Sequence, residues 1–263
     1  HVDQGTHGLV PVGTTGESPT LTHGEHDLVV KTVVEHAAGR VPVIAGAGSN
    51  NTIETVRLVI AAKDAGADAA LVVTPYYNKP PQEGLYRHYM AIADAATIPI
   101  ILYNVPGRTG CDLAPTTAER LAAHPRIVAL KEAVGAPERV AELRSRLPAP
   151  FVLLSGDDAT SADAMLLGFD GVISVTANVV PAQMRALCDA ARAGDDAAAR
   201  AADAPMAGLH SALFLDPNPI PVKWALHQMQ RIGPGIRLPL VPMRAAFEAP
   251  VKTALADAGA LEN

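Results

Sequence analysis

The chain has 263 residues, 49% of them hydrophobic and 18% charged, which is enough for one large domain with a substantial core. A formal net charge of −6 without a basic stripe argues against nucleic acid as a partner. Two cysteines give no disulfide framework, and no signal peptide is visible. No apolar run approaches the ~20 residues of a membrane helix. We therefore expect a cytoplasmic protein without a membrane partner.

Seven short apolar runs, rich in β-branched residues, recur along the first 180 residues. They predict strands at 7–13, 41–46, 67–75, 98–104, 126–132, 151–158 and 170–176. Near-continuous apolar character over such lengths is typical of strands buried on both faces. Segments with helical periodicity lie between these runs, which favours parallel pairing of the strands through right-handed crossovers.

Helix starts are indicated by polar pairs three residues apart, in which one side chain caps the first turn. The pairs are Thr22 with Glu25, Asn51 with Glu54, and Thr116 with Glu119. After Thr176 the pattern is wholly helical, with a proline-rich connector, "DPNPIP", at 216–221. The predicted helices there are 181–193, 195–215, 220–231 and 242–258. We therefore divide the chain into a barrel portion that carries the site, 1–180, and C-terminal helices, 181–263, which comprise the last barrel helix and a helical extension.

Polar residues concentrate where the predicted strands end. The motifs are "GTTGES" (13–18), "TPYYN" (74–78), "YNVPGRTG" (103–110), "KEA" (131–133) and "SGDD" (155–158). Seven strands suit a doubly wound open sheet or an eight-stranded barrel that lacks one strand. An open sheet concentrates its site at one switch point, whereas a barrel builds it from many strand ends. The motifs therefore favour an α/β fold of the (β/α)₈ TIM-barrel type without its first strand, followed by a C-terminal helical region.

Lys131 ends an otherwise apolar strand. Strand alternation puts Ile127, Ala129 and Lys131 on one face, which we expect to line the barrel interior. Burial there would lower the pKa of the amine and make it available for Schiff-base chemistry with a carbonyl substrate. The alternative is a lysine at a strand end whose ammonium extends to solvent.

Tyr103 ends a neighbouring strand and shares a face with Pro99 and Ile101, so its phenol can also point inward. It is either a proton relay, with Thr14, Thr15 or Tyr77 as hydroxyl partners, or an ordinary core tyrosine. Arg108, in the "PGRTG" turn, either binds a substrate carboxylate or is simply solvated. The "GTTGES" glycines and threonines could equally serve only a tight turn and a helix cap.

Together, several motifs are identified as those of the dihydrodipicolinate synthase family, in the N-acetylneuraminate lyase superfamily. They are "GTTGES", "TPYYNKP", "YNVPGRTG", "LKEA", "SGDD", "GVISVTAN" and "DPNPIPVKW", and the resemblance runs from about residue 5 to the C-terminus. It implies a lyase that condenses pyruvate with L-aspartate 4-semialdehyde to give 4-hydroxy-tetrahydrodipicolinate, in the diaminopimelate branch of lysine biosynthesis. The arginine of "YNVPGRTG" and the second threonine of "GTTGES" distinguish this family from the sialic-acid lyases.

The resemblance also implies roles for individual residues. Lys131 would hold pyruvate as an imine, with no metal and no organic cofactor. The remaining roles are a hydroxyl relay (Tyr103, Thr15, Tyr77), pyruvate binding (Thr14, Thr15, Gly156, Ile173) and binding of the aspartate semialdehyde carboxylate (Arg108). Tyr77 would reach across a tight dimer interface into the neighbouring site, within a homotetramer built as a dimer of dimers.

Many family members are inhibited by lysine, and the residues at the matching places here are Ser18, His23, His26, Asn50, Glu54 and Tyr76. Glu54 could pair with the effector's amino group, although His23 and His26 could equally be plain helix-surface histidines. Members of the family also carry a strand before "GTTGES" that this chain does not include. We therefore expect either that the sequence is a piece of a longer protein or that its fold is compromised. Two alternatives stay open: another pyruvate-dependent aldolase or dehydratase of the superfamily, and an inactive fragment.

Overall fold

The computed structural model describes residues 1–261, which contain one parallel sheet with helices packed against its outer face. Its strands are β1 (Ile44–Gly46), β2 (Ala69–Val73), β3 (Ile100–Asn104), β4 (Ile127–Glu132), β5 (Val152–Ser155) and β6 (Gly171–Val172). Neighbours in the sheet are neighbours in the chain, in the order β1-β2-β3-β4-β5-β6. A doubly wound sheet reverses its strand order at a switch point, so the sequential order confirms the predicted barrel-type α/β fold.

Twelve α-helices occur within the described residues. They are α1 (His23–Ala37), α2 (Thr52–Asp64), α3 (Gln82–Ala95), α4 (Pro106–Thr109), α5 (Pro115–Ala122), α6 (Pro137–Arg146), α7 (Ser161–Leu166), α8 (Pro181–Arg192), α9 (Asp196–Asp203), α10 (Ala207–Ala212), α11 (Ile220–Gln228) and α12 (Glu248–Asp257). Short 3₁₀ turns lie at Val2–Gln4, Ser18–Thr20, Thr176–Asn178, Ala204–Met206 and Ala245–Phe247. No helix among residues 1–261 is both long and apolar enough to cross a membrane.

The first predicted strand, 7–13, is not a regular strand. Leu9 forms an isolated parallel bridge with Val43, and the Gly46 N–H donates to the Pro11 carbonyl at 3.0 Å. The pairing ends at Val12, whose φ of 51° lies in the left-handed region. A Cβ on Gly46 would meet the Val12 carbonyl oxygen at 2.3 Å, so this crossing needs a glycine in β1.

The pairing of β3 with β4 contains an irregularity that changes which side chains face inward. Ile100 pairs with Ile127, but the next residue, Ile101, pairs with Ala129, so Val128 is skipped. As a result Ile127 packs in the outer core and Val128 packs against the inner cluster. The prediction that Ile127 shares the inner face with Lys131 is therefore wrong, because a bulge shifts the alternation by one residue.

Two apolar layers flank the sheet. The outer layer packs strand residues such as Val72 and Leu130 against helix residues such as Tyr89 and Leu121. The inner cluster comprises Ala69, Leu71, Ile101, Tyr103 and Ala129. The inner face ends in polar residues at the carboxyl ends of the strands, where the site forms.

Two of the three predicted capping pairs are helix starts. Thr22 and Glu25 form a reciprocal capping box, and Asn51 accepts from the backbone N–H groups of Ile53 and Glu54. The third prediction, Thr116 with Glu119, is wrong, because α5 begins earlier, at Pro115. The side chain of Gln82 supplies an acceptor there, receiving the Ala114 N–H at 3.0 Å.

The C-terminal helices share the main core with the barrel helices through buried residues such as Leu187, Leu209 and Val251. The predicted helix 195–215 is interrupted, because Pro205 lies in a 3₁₀ turn between α9 and α10. The last two residues of the predicted helical region, 262–263, lie outside the described residues.

Candidate active site

The polar ends of the strands meet in one cavity of about 1640 Å³. It is lined by every predicted active-site residue except Tyr77: Thr14, Thr15, Tyr103, Arg108, Lys131, Gly156 and Ile173. These residues come from five segments that are far apart in sequence. The parallel sheet brings them together because all its strands end at the same rim.

Lys131 lies near the end of β4, beside Tyr103 of β3, with which it is in register. The residue is 9% exposed, and its Nζ lies 4.1 Å from the centroid of the Tyr103 ring. Within residues 1–261 Lys131 forms no ion pair with a carboxylate. Burial lowers the pKa of Lys131 to about 8, with the charge of Asp158 raising it and that of Arg108 lowering it. The alternative of a solvent-exposed lysine is therefore wrong.

Asp158 supplies negative charge near the amine and is itself almost fully buried. Its Oδ2 accepts from the backbone N–H groups of Val175 at 2.9 Å and Thr176 at 3.0 Å. These bonds hold the carboxylate in place after β5. The "SGDD" motif predicted a polar strand end. The folded chain brings Asp158 of this motif close enough for its charge to raise the pKa of Lys131.

The hydroxyl relay predicted between Tyr103 and Thr15 is not formed among the described residues. Instead, the Nδ2 of Asn218 donates to the Thr15 Oγ1 at 3.0 Å. Tyr103 is buried, which raises the pKa of its phenol, while the charge of Arg108 lowers it and that of Glu132 raises it. Asn218 was missed because the sequence suggested only a rigid connector at "DPNPIP".

Gly156 leaves room for the Lys131 side chain. A Cβ at this position would meet the Lys131 Cε at 3.0 Å, which is tighter than ordinary packing allows. Ile173, directly after β6, donates its N–H to the Ser155 carbonyl at 2.9 Å and packs against the inner cluster. These two residues therefore shape the wall beside the amine.

Arg108 lies in the four-residue helix α4 and is exposed at the cavity mouth. Within residues 1–261 it forms no ion pair, so its guanidinium is free to receive an anion. Its positive charge lowers the pKa of both Lys131 and Tyr103. The mouth therefore suits a negatively charged substrate.

Tyr77 is not brought into this cavity by its own chain. It is 88% exposed, and its φ of 74° lies in the left-handed region. The loop after β2 thus presents this ring to solvent, away from Lys131.

The same cavity extends to most of the predicted lysine-effector residues: Ser18, His23, His26, Glu54 and Tyr76 line it, whereas Asn50 does not. Glu54 lies 2.8 Å from the His23 Nε2 and also accepts from the Ser49 hydroxyl. These hydrogen bonds, from Ser49 first and then His23, lower the pKa of Glu54. His26 is not a surface histidine: it is buried, with its Nε2 2.9 Å from the Gly46 carbonyl oxygen.

Across residues 1–261, no three side chains of His, Cys, Asp or Glu come together in a way that could hold a metal ion. The part of the cavity that holds the predicted active-site residues carries the Lys131 amine, the Arg108 guanidinium, the hydroxyls of Thr14, Thr15 and Tyr103, and the Asn218 amide. This set is suited to carbonyl chemistry on carboxylate-bearing substrates.

Comparison with known proteins places the chain among enzymes of one family. The model of the dihydrodipicolinate synthetase family matches residues 1–258. A 4-hydroxy-tetrahydrodipicolinate synthase from Alcanivorax borkumensis is 59% identical over 100% of this chain and 89% of its own length.

Solved structures of dihydrodipicolinate synthases also match this chain. The chloride-inhibited dihydrodipicolinate synthase from Acinetobacter baumannii, crystallised with pyruvate, matches with a TM-score of 0.98 and 53% identity over 99% of this chain and 90% of its own. The synthase from Cyanidioschyzon merolae with lysine bound matches with a TM-score of 0.95 and 40% identity over 99% of this chain and 89% of its own.

Proposed function

The chain belongs to the dihydrodipicolinate synthetase family, and we propose that Lys131 is the amine through which it condenses pyruvate with L-aspartate 4-semialdehyde. The reaction is that of a lyase and gives 4-hydroxy-tetrahydrodipicolinate, in lysine and diaminopimelate biosynthesis. The observation that supports this role is the buried Lys131 amine, with its pKa lowered to about 8, at the wall of the cavity beside Tyr103.

The neutral amine of Lys131 attacks the ketone carbon of pyruvate, and loss of one water leaves an iminium between that carbon and Nζ. The iminium withdraws electrons, so a methyl proton of pyruvate is lost and an enamine forms. No metal or organic cofactor is needed, because the iminium itself accepts the electron pair. Thr14 and Thr15 hold the pyruvate carboxylate, and Gly156 and Ile173 shape the wall around it.

The enamine carbon then bonds to the aldehyde carbon of the second substrate, whose carboxylate is held by Arg108. Tyr103 and Thr15 move protons between the reacting oxygen and water. The substrate's amino group closes the ring by displacing Nζ from the former ketone carbon, which frees Lys131 for another cycle.

Reductive trapping tests the role of Lys131. Pyruvate with borohydride should attach a reduced adduct to this lysine, visible by mass spectrometry of its tryptic peptide. The Lys131→Met variant should give no adduct there. An unmodified Lys131 in the active wild-type protein would contradict the assignment.

Replacement of Arg108 tests the second substrate. Because a hydrogen bond to a charged group contributes about 1.5–3 kcal/mol, Arg108→Ala should reduce turnover of aspartate semialdehyde by roughly 10- to 100-fold. Pyruvate trapping on Lys131 should be unchanged. Normal condensation by Arg108→Ala would favour a different aldehyde substrate.

A lysine effector would bind around Glu54, whose charged carboxylate lies beside His23 and Ser49 at the cavity wall. Titration calorimetry with L-lysine should detect binding to the wild type and much weaker binding to Glu54→Gln. Neither heat nor inhibition at millimolar lysine would contradict this assignment. The homotetramer and the cytoplasmic location stay predictions from the sequence.

A further inference from the structure

A polar network that is buried at the sheet and reaches solvent at its outer end lies at the ends of β3 and β4, on the sheet face opposite Tyr103 and Lys131. We call it the Asn104 network; its members are Asn104, Asp112, Glu132 and Arg139. The Asn104 Nδ2 lies 3.0 Å from Glu132 Oε1 and 2.7 Å from Asp112 Oδ1. Asn104 and Glu132 are almost completely buried.

Arg139, from α6, joins the two carboxylates of this network. Its Nε donates to Glu132 Oε2 at 3.0 Å, and its terminal nitrogens donate to both oxygens of Asp112, at 2.9 and 3.2 Å. The Val134 N–H adds a further bond to Glu132 Oε1 at 2.9 Å. A buried carboxylate is tolerated only when it is paired and hydrogen-bonded in this way.

The network acts on the alignment of β3 with β4. Asn104 pairs with Glu132 one step beyond the pair formed by Tyr103 and Lys131. Because Val128 has no partner in β3, the pattern of apolar residues before it does not determine which residues pair at the carboxyl ends of the two strands. A slip of one residue would turn Lys131 to the opposite face, so a specific polar contact is needed there.

The same network also holds the segment that carries Arg108. The Asn104 Oδ1 accepts the Leu113 N–H at 2.9 Å, and Arg139 donates to the Leu113 carbonyl at 2.6 Å. Residues 105–112 are thus attached to the network at both ends, by Asn104 and by Asp112 with Leu113. One set of contacts therefore places Tyr103, Lys131 and Arg108 relative to each other.

We infer that Asn104, Glu132, Asp112 and Arg139 are positioning residues for the condensation. Asn104 and Glu132 set the alignment of Lys131 with Tyr103, and Asp112 with Arg139 sets the place of the Arg108 segment. This inference rests on the proposed roles of Lys131 and Arg108. The effects of the two halves of the network on the two substrates should therefore differ.

Two near-isosteric variants separate the halves, and one variant is their control. Glu132→Gln removes the charge behind Lys131, and Asp112→Asn weakens the attachment of the Arg108 segment. Asp170→Asn is the control, because Asp170 also binds an arginine, Arg144, at 3.2 Å and a backbone N–H, that of Leu153, at 2.8 Å. Its side chain is 46% exposed against 48% for Asp112, and it precedes β6 at the far end of the sheet.

Misplacement of reacting groups by about 1 Å can cost about 100-fold in rate, so we expect at least a tenfold lower kcat and slower pyruvate trapping in Glu132→Gln. The alkaline limb of its pH–rate profile should also move to lower pH, since the charge of Glu132 raises the pKa of Tyr103. Asp112→Asn should raise the KM for aspartate semialdehyde by about threefold or more and leave the trapping rate unchanged. Asp170→Asn should leave both unchanged.

A folded Glu132→Gln with wild-type kcat and an unshifted pH profile would overturn the inference. Equal KM values in Asp112→Asn and Asp170→Asn would also overturn it, and this pair decides the question if Glu132→Gln does not fold. If the wild type itself traps no pyruvate at Lys131, the proposed function fails instead. If the wild type traps pyruvate at Lys131 but Glu132→Gln and Asp112→Asn behave like the wild type, the positioning role is contradicted and the proposed function stands.

Discussion

At the scale of single residues, the proposed chemistry depends on the burial of the Lys131 amine. A lysine with a pKa near its ordinary value has less than about one neutral amine in 1,000 at pH 7, whereas a pKa of about 8 gives roughly one in ten. The protein obtains this population mainly by burying the amine, which outweighs the opposing charge of Asp158. The same arrangement makes the folded state less stable, because burial penalises the charged form.

Lys131→Met should therefore stabilise the protein at pH 7 by roughly 1–3 kcal/mol, while abolishing activity. The lysine's folded pKa lies below its unfolded pKa, so the penalty is fully present below about pH 8. It shrinks as pH rises from there through the unfolded value, and the advantage of the variant should shrink with it. Urea unfolding at pH 7 and pH 10 measures both effects.

Lys31→Met is the control for this comparison, because Lys31 is exposed on α1 and, among residues 1–261, pairs only with Glu35, at 3.8 Å. Its unfolding free energy should change by less than about 0.5 kcal/mol, as is usual for surface substitutions. A Lys131→Met protein less stable than wild type at pH 7 would show that burial of the amine is not costly.

At the scale of elements, the C-terminal helices hold the "GTTGES" loop. Asn218, just before α11, binds Thr15 at 3.0 Å. Glu17 accepts from the Lys223 ammonium of α11 and from the Arg237 backbone N–H at 2.9 Å. Segments about 200 residues away in sequence thus hold the loop that carries Thr14 and Thr15. The C-terminal region therefore helps to position these two candidate site residues.

Glu17→Gln should loosen this loop and raise the KM for pyruvate about threefold or more, since each hydrogen bond to a charged group contributes about 1.5–3 kcal/mol. Steady-state kinetics with pyruvate as the varied substrate measures the effect. Glu83→Gln, which breaks a surface pair with Arg87 and Arg120, is the control and should leave this KM unchanged. Equal KM values in the two variants would show that Glu17 does not position the loop.

At the scale of the whole molecule, the site within one chain lacks one predicted group. Tyr77 lies outside the cavity on a left-handed backbone and is largely exposed. Such backbone strain in an exposed aromatic residue is typical of functional loops. This placement supports the prediction that Tyr77 serves a second copy of the chain.

Subunit complementation tests that prediction. Lys131→Met and Tyr77→Phe should each be nearly inactive alone. After unfolding and refolding of an equal mixture, about one quarter of the sites should recover, because in a two-fold dimer an intact Lys131 can meet an intact Tyr77. Sedimentation should give a multiple of 27.3 kDa. A mixture no more active than its parts would contradict the shared site.

Local patterning was enough to predict the parallel sheet, most strand positions and the inward orientation of Lys131 and Tyr103. Apolar runs, capping residues and strand-end motifs depend on neighbours within a few residues, so a linear reading captures them. The bulge at Val128, the partnership of Asn218 with Thr15 and the pairing of Glu132 with Asn104 and Arg139 needed the folded chain. Each depends on segments distant in sequence and on which strands lie side by side, and the pKa of Lys131 depends on the same packing because burial sets it.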